Sequence, residues 1–143
     1  PVLGEKNIAE ILSQISGMYS IVWYFSPSQN KWLTYAPFKI ENTLLTINST
    51  MAIAINVTIN SQLTLTDFLL PANTTVFLKK GWNMVGINLN KSITGQQLLA
   101  ALPSGSTIES IDTGLPYTLP ANAQITPGRG YWIYVPYDVE IPL

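Results

Sequence analysis

Two stretches of the chain place apolar residues at helical spacing behind a residue that can cap a helix. The caps are Asn7 and Thr94, and each is followed three residues later by a Glu or Gln that can complete a capping box. The apolar residues then recur on one helical face, and a glycine or a proline stands where each pattern stops. The pattern predicts two short helices, over Asn7–Ser16 and Gly95–Leu102.

The rest of the pattern favours strands. Turn-forming residues separate the aromatic run Tyr19–Phe25 from Lys31–Tyr35, which predicts a hairpin with a five-residue loop. The β-branched run Thr43–Thr66 alternates Ile53 and Ile55 with polar or small neighbours, which is typical of a strand. Four more strands are predicted, over Thr75–Leu78, Gly81–Leu89, Thr107–Asp112 and Tyr131–Pro136, with Asp67–Thr74 as a connector.

These elements recur along the chain. The two helical stretches, and Ile21 and Ile108 after them, are related by a spacing of about 87 residues. Later the spacing shortens to about 80, because Leu45, Met51, Ile53 and Ile55 align with Ile125, Tyr131, Ile133 and Val135. The sequence therefore predicts a strand-dominated α+β fold of two related units, each with one short helix, packed as one pseudo-symmetric body. The first repeat unit is residues 1–66, and residues 67–143 hold the connector and the second unit.

One strand of the second unit has no counterpart in the first. At the spacing of about 87 residues, the partner of Gly81–Ile87 falls before Pro1, so the first unit is expected to lack its leading strand. A sheet without that strand has unpaired backbone groups along one edge. Either Gly81–Ile87 serves both units, or a neighbouring domain or subunit supplies the strand by β-augmentation.

The charge content sets this chain apart from an average soluble domain. Of its 143 residues only 10 % are charged, against about 25 % in typical domains, while 47 % are hydrophobic and the net charge is −1. Without a basic stripe the chain is not expected to bind nucleic acid. Cysteine and histidine are absent, and no apolar run reaches membrane-spanning length, so we expect no disulfide, metal, cofactor or membrane span. A neutral polar surface of Asn, Ser, Thr and Gln indicates an extracellular location.

Four Asn-x-Ser/Thr sequons also favour an extracellular surface. They are Asn48, Asn56, Asn73 and Asn90, each without proline at the middle position. In a secreted protein such sites accept glycans on exposed loops. They are therefore glycosylation candidates.

Two segments resemble a recurring module of archaeal and bacterial surface proteins. They are Gly81–Gly86, with the sequence Gly-Trp-Asn-Met-Val-Gly, and Thr126–Val135, which contains Pro-Gly-Arg-Gly-Tyr-Trp. The hairpin around Trp23 and Trp32 is also similar to that of the module, which occurs in tandem in S-layer-like and other secreted proteins. The resemblance implies a β-rich building block of a cell surface and implies no particular chemistry.

One triplet is typical of a catalytic site. Asp112-Thr113-Gly114 is the signature of aspartic proteases, in which two copies bring two carboxylates together. A single copy would require a dimer, Leu115 follows the glycine, and the aligned position in the first unit is Phe25. A turn after a strand explains the triplet more simply, and a protease is the remote alternative. We expect no enzyme activity.

The aromatic residues matter most for a binding role. Four Trp and seven Tyr are many for this length. Core packing explains most of them, while Trp32, Tyr35 and Tyr134 are candidates for an exposed platform that stacks on sugar rings. The sequence thus predicts a non-catalytic structural or interaction module of a surface layer, filament or adhesin, which contacts copies of itself or neighbouring domains. The alternative is a carbohydrate-binding module of a larger secreted protein, with glycans as partners.

Overall fold

The fold is given by a computed structural model, which describes residues 4–66, 74–89, 91–110 and 117–143. The helices are α1 (Ile8–Leu12), a 3-10 turn (Ser13–Ile15) and α2 (Gly95–Ala101). The strands of the first half are β1 (Lys6–Asn7), β2 (Tyr19–Ser26), β3 (Lys31–Tyr35), β4 (Thr46–Ile47) and β5 (Ala54–Val57). The strands of the second half are β6 (Thr75–Leu78), β7 (Gly81–Gly86), β8 (Ile93–Thr94), β9 (Thr107–Ser110), β10 (Tyr117–Thr118), β11 (Gln124–Ile125), β12 (Gly130–Val135) and β13 (Val139–Pro142). Strand dominates, as predicted.

Both predicted helices form, each slightly shorter than expected, and each begins at its predicted cap. The Asn7 side chain accepts hydrogen bonds from the backbone N–H groups at the start of α1. Thr94 and Gln97 form a complete capping box at α2. Gly17, with φ +77°, ends the first helical stretch in a conformation that favours glycine.

The predicted hairpin forms two strands of the first sheet, whose strand order is β3-β2-β5. The predicted five-residue loop is wrong: Ser26 pairs with Lys31, so the loop has four residues, 27–30. Val22 lies opposite Tyr35, and Phe25 lies opposite Trp32. The register shifts between Tyr19 and Ile21, which is a β-bulge. The alternation predicts that Tyr19 shares a face with Phe25, and this is wrong: the bulge turns Tyr19 into the core beside Val22.

The second sheet has the order β10-β9-β12-β7 and is antiparallel throughout. Its central strand β12 directs Tyr131, Ile133 and Val135 into the core. The edge strand β7 pairs with β12 over its whole length, from Gly86 opposite Gly130 to Gly81 opposite Val135. A separate ladder joins β6 to β13.

The buried hydrophobic residues form two clusters. The first consists of residues from 8 to 47, including Ile8, Leu12 and Val22, with α1 packed on the first sheet. The second consists of residues from 76 to 141, including Leu98, Ile108 and Ile133, with α2 packed on the second sheet. Burial of apolar surface on this scale is the main source of stability in both halves.

The predicted strand over Thr43–Thr66 is largely wrong. Only β4 and β5 form within it, and the segment after β5 leaves the sheet. Its first amides, of Thr58 and Ile59, donate to the Met18 carbonyl. Further on, the Gln14 side chain donates to the Thr64 carbonyl and accepts from the Thr64 N–H. These side-chain and turn bonds replace a strand ladder, so the alternating pattern alone overestimates the strand.

Two short ladders can be compared with the predicted repeat spacing. Lys6 pairs with Ile47 and Ile93 pairs with Ile125, so the first partners are 87 residues apart and the second 78. The second value differs by two residues from the spacing of about 80 predicted from the sequence. A shift of two keeps the same strand face, which is why the sequence pattern alone does not detect it.

A small set of contacts joins the two halves beside β7. Met51 forms an isolated antiparallel bridge with Val85, and the Gly86 N–H donates to the Thr50 carbonyl at 2.9 Å. The Asn88 side chain donates to the Ser49 carbonyl and accepts from the Gly128 N–H. In the described part of the chain, the backbone pairing of Gly81–Ile87 with the first half thus consists of one bridge and its neighbouring hydrogen bonds.

Candidate functional site

The candidate site lies where the non-core faces of the two sheets meet. In the first sheet, Phe25 and Trp32 face away from the first core because Val22, Tyr24, Leu33 and Tyr35 occupy the opposite face. In the second sheet, the same alternation turns Trp132 away from the second core. Trp132 lies opposite Met84 on one side and Glu109 on the other.

The aromatic rings on these faces touch one another across the two halves. Trp132 is central: its ring centroid lies 5.9 Å from that of Phe25, 5.7 Å from Trp32 and 6.4 Å from Trp82. Phe25 and Trp32 also meet edge to face at 5.4 Å. Such tilted and edge-on contacts are the favoured geometry of aromatic pairs, and they hold each ring in place.

Together these residues line an open cavity of about 340 Å³, here called the aromatic groove, formed by Phe25, Trp32, Trp82, Trp132 and Glu109. Trp32 is 51 % exposed and Trp82 is 41 % exposed, so indole surface remains open to a ligand. Glu109 is half-buried and is the one charged residue among the described residues of the lining. In this part of the chain the groove thus combines apolar walls with the negative charge of Glu109.

The three platform candidates from the sequence have different positions. Trp32 lines the groove. Tyr134 contacts Trp82 at 5.5 Å and extends the aromatic cluster beyond the groove. Tyr35 lies apart from the other two, because it packs on the first core. There burial raises the pKa of the Tyr19 hydroxyl, and the neighbouring Tyr35 raises it further. A platform of all three side chains is therefore not formed.

Sequence reasoning missed most of the groove, namely Phe25, Trp82, Trp132 and Glu109. The hairpin carried a usable signal for Phe25, because a turn between the strands places it opposite Trp32. The remaining three come from β7, β9 and β12, whose registers are set by non-local pairing. No local pattern brings them beside the hairpin.

The structure describes two of the four sequons. Asn56 is exposed on β5, and its side chain donates to the Ser20 hydroxyl at 2.7 Å. Asn48 is half-buried at the joint between the halves, and its Oδ1 accepts from the Thr50 N–H and hydroxyl. Asn73 and Asn90 lie outside the described residues.

Other ionisable groups occur as single residues or local pairs. Within the described ranges, no three acidic, histidine or cysteine side chains are placed to hold a metal ion. Asp138 is exposed, and the Lys80 N–H and then the Lys79 ammonium hold the pKa of its carboxyl below the usual value. Asp112, the protease candidate, lies outside the described residues. No helix in the described part of the chain is long and apolar enough to cross a membrane.

A second exposed feature is an apolar loop, residues 36–42, which follows β3. At its tip Phe38 is 91 % exposed and Ile40 is 102 % exposed, with Lys39 between them. The base is fixed by Asn42, whose side chain accepts from the Ala36 N–H at 2.9 Å and donates to the Ala36 carbonyl at 3.1 Å. Two large apolar side chains are thus exposed close together at the tip of one loop, and exposed apolar patches often mark protein interaction sites.

Comparisons of the chain with family models, with curated protein sequences and with solved structures find no match.

Proposed function

We propose that this chain is a non-catalytic interaction module of an extracellular surface structure, and that the aromatic groove is its main contact site. The observation that carries the proposal is the open apolar groove with two half-exposed indoles at its edge. Aromatic pockets of this kind anchor partner side chains at protein interfaces. An extracellular location remains part of the proposal and rests on the charge-poor, sequon-bearing sequence.

The chemistry of the groove favours an apolar partner with one positive charge. A sugar would bring many hydroxyl groups, and each needs a hydrogen-bond partner when it is buried. Of the residues that the structure describes, the lining offers one carboxylate, from Glu109, and otherwise aromatic rings. A partner that presents apolar side chains beside a Lys or Arg would satisfy both, because the cation can contact the rings as well as the carboxylate.

A second copy of this chain carries such a partner. The apolar loop presents Phe38 and Ile40 with Lys39 between them. Trp32 lies near the start of β3, whereas the loop follows the end of β3, so we propose that the loop enters the groove of another copy. A contact between two different surfaces of the same chain is heterologous, and its repetition builds rings or filaments.

Replacing both loop residues with serine tests the proposal. The variant Phe38→Ser/Ile40→Ser is expected to weaken self-association about 100-fold, since each side chain contributes about 1.5 kcal/mol when buried. The measurement is sedimentation velocity over a concentration series of the whole chain. Phe77→Ser, which changes another exposed ring, on β6 and outside the loop and the groove, is the control and should associate like the parent chain. A parent chain that stays monomeric at millimolar concentration, or equal effects of both variants, would contradict the proposal.

We also propose that the two halves are copies of one unit, packed as a pseudo-symmetric pair with a boundary near residue 66. Each half has a capped short helix, a two-residue ladder before it and its own hydrophobic cluster. The supporting equivalences are the matched ladders β1–β4 and β8–β11. A repeated unit is typical of surface scaffolds, which assemble by stacking similar modules.

Carbohydrate binding is the second candidate function, and the exposure of Trp32 favours it. An indole that is half open beside the carboxylate of Glu109 could stack on a sugar ring while the carboxylate accepts from a hydroxyl. Titration calorimetry against a panel of soluble polysaccharides tests it. This function predicts saturable binding that Trp32→Ala abolishes and Tyr35→Phe leaves unchanged. Binding that survives Trp32→Ala would exclude the groove as the sugar site.

A further inference from the structure

We propose that the outer edge of β5 accepts an additional antiparallel strand, supplied by a neighbouring module and carrying the residue pattern of β7. This inference deepens the proposed function and rests on it, because it names a second contact through which the module joins its neighbours. Its acceptor residues, on β5, differ from the residues that line the aromatic groove, so the two contacts can fail independently.

The ladders identify β5 as the counterpart of β12. In the first half Ile47 pairs beside α1 and Ile55 pairs with Val22. In the second half Ile125 pairs beside α2 and Ile133 pairs with Ile108. Ile47 and Ile125 are 78 residues apart, and so are Ile55 and Ile133. The same spacing therefore relates the short ladders and the sheets. The central strand of the second sheet and β5 therefore have equivalent positions.

The two strands differ in their number of neighbours. β12 pairs with β9 on one side and with β7 on the other, over six residue pairs. Within residues 4–66, 74–89, 91–110 and 117–143, β5 pairs with β2 alone, and no backbone hydrogen bond joins Ala54–Val57 to another segment. In this part of the chain, the position that β7 occupies beside β12 has no equivalent strand beside β5.

β7 does not fill this position itself. Within the described residues, its backbone pairing with the first half consists of the bridge between Met51 and Val85 and the hydrogen bond from Gly86 to Thr50, although β7 also lies near β2 and Ala54. Thr50 and Met51 precede β5. The other edge of β7 is fully paired with β12, so the strand cannot move to β5 without breaking the second sheet.

The sequence around β5 also lacks the usual protection of an exposed edge. Proteins guard free edges with charged residues, proline or a covering segment, since an unpaired edge templates pairing with another strand. Residues 50–66 contain no charged residue and no proline. Val57 and Ile59 are instead more than half exposed. An edge that is apolar and unguarded is suited to a strand that adds to it.

The probe is a peptide with the sequence of residues 79–89. It is added to the whole chain, and hydrogen exchange of the chain's backbone amides is measured. Addition of the strand is expected to slow exchange of the β5 amides about tenfold or more, saturably, with little change in β12. Two controls are matched to the probe: the same peptide with proline in place of Met84, and the chain variant Val57→Lys, which adds a guarding charge at the edge. Both should abolish the protection while the chain stays folded.

Three results would overturn the inference: no β5 protection at millimolar peptide, equal protection with the proline peptide, or slowing confined to residues outside β5. None of them bears on the groove, because the serine variants of the apolar loop test that contact separately. If the peptide does not protect β5 but the parent chain still assembles in a concentration-dependent way, only the added strand is rejected. If the parent chain does not assemble either, the proposed function is rejected as well.

Discussion

Replacing Asn83 with alanine is expected to lower the free energy of unfolding by about 3 kcal/mol. Asn83 is 1 % exposed, yet it lies in a strand that is otherwise apolar on its core side. Its Oδ1 accepts from the Lys79 N–H at 3.0 Å, and its Nδ2 donates to the carbonyls of Lys79 at 2.8 Å and Gly81 at 3.1 Å. A further bond from Nδ2 reaches the Ile133 carbonyl on β12 at 3.3 Å.

The alanine variant leaves the Lys79 amide and the facing carbonyls without these partners in a poorly hydrated place, which is the costly case for a hydrogen bond. The same bonds fix the turn between β6 and β7. Equilibrium urea unfolding followed by tryptophan fluorescence measures the effect. Asn60→Ala, at an exposed site, is the control and should change the free energy by less than about 0.5 kcal/mol. Equal stability of the two variants would show that Asn83 is not the structural anchor of this turn.

Adding a methyl group at Gly130 is expected to cost about 2 kcal/mol, because the new Cβ would lie 2.8 Å from the Cβ of Ala52. Ala52 belongs to the first half and Gly130 to the start of β12, so the clash lies at the joint between the halves. The double variant Gly130→Ala/Ala52→Gly removes the opposing methyl group. It is expected to recover about 1 kcal/mol, although glycine in an extended segment has its own cost of about 0.5–1 kcal/mol.

The measurement is a double-mutant cycle in urea unfolding, in which the coupling energy isolates the contact between the two positions. Favourable coupling of about 1 kcal/mol or more is the expected result. Additive destabilisation, with the double variant less stable than Gly130→Ala alone, would mean that the halves do not pack together at this point.

Much of the local structure follows from the sequence. The caps at Asn7 and Thr94 position both helices, and the turn after Ser26 sets the hairpin. These elements depend on residues close together in the chain, whose chemistry is enough to specify them. The predicted strands at β6, β7, β9 and β12 form as well: β6 has the predicted bounds, β7 ends earlier, at Gly86, and β12 is shifted by one residue. The last two residues of the strand predicted at β9 lie outside the described residues.

The errors arise where distant residues compete with the local pattern. The run after β5 alternates like a strand, but the Gln14 side chain and the Met18 carbonyl bind its backbone instead. The bulge at Tyr19 reverses one side chain, and a bulge has no signature in apolar alternation alone. The aromatic groove depends on the meeting of two sheets, and Glu109 enters it only through the register of β9 with β12. Such pairings are specified by the whole fold and not by any one segment.

The most direct test of the central claim is a charge exchange between the apolar loop and the groove. Lys39→Glu places a negative side chain between Phe38 and Ile40, against the carboxylate of Glu109, and Glu109→Lys places a positive side chain in the groove, against Lys39. Each variant alone is expected to self-associate about tenfold more weakly than the parent chain, because like charges face each other. In an equimolar mixture, the negative loop of one variant meets the positive groove of the other, so sedimentation velocity should show assembly restored. If each variant assembles like the parent chain, or if the mixture stays as weakly associated as its components, the loop of one copy does not bind the aromatic groove of another.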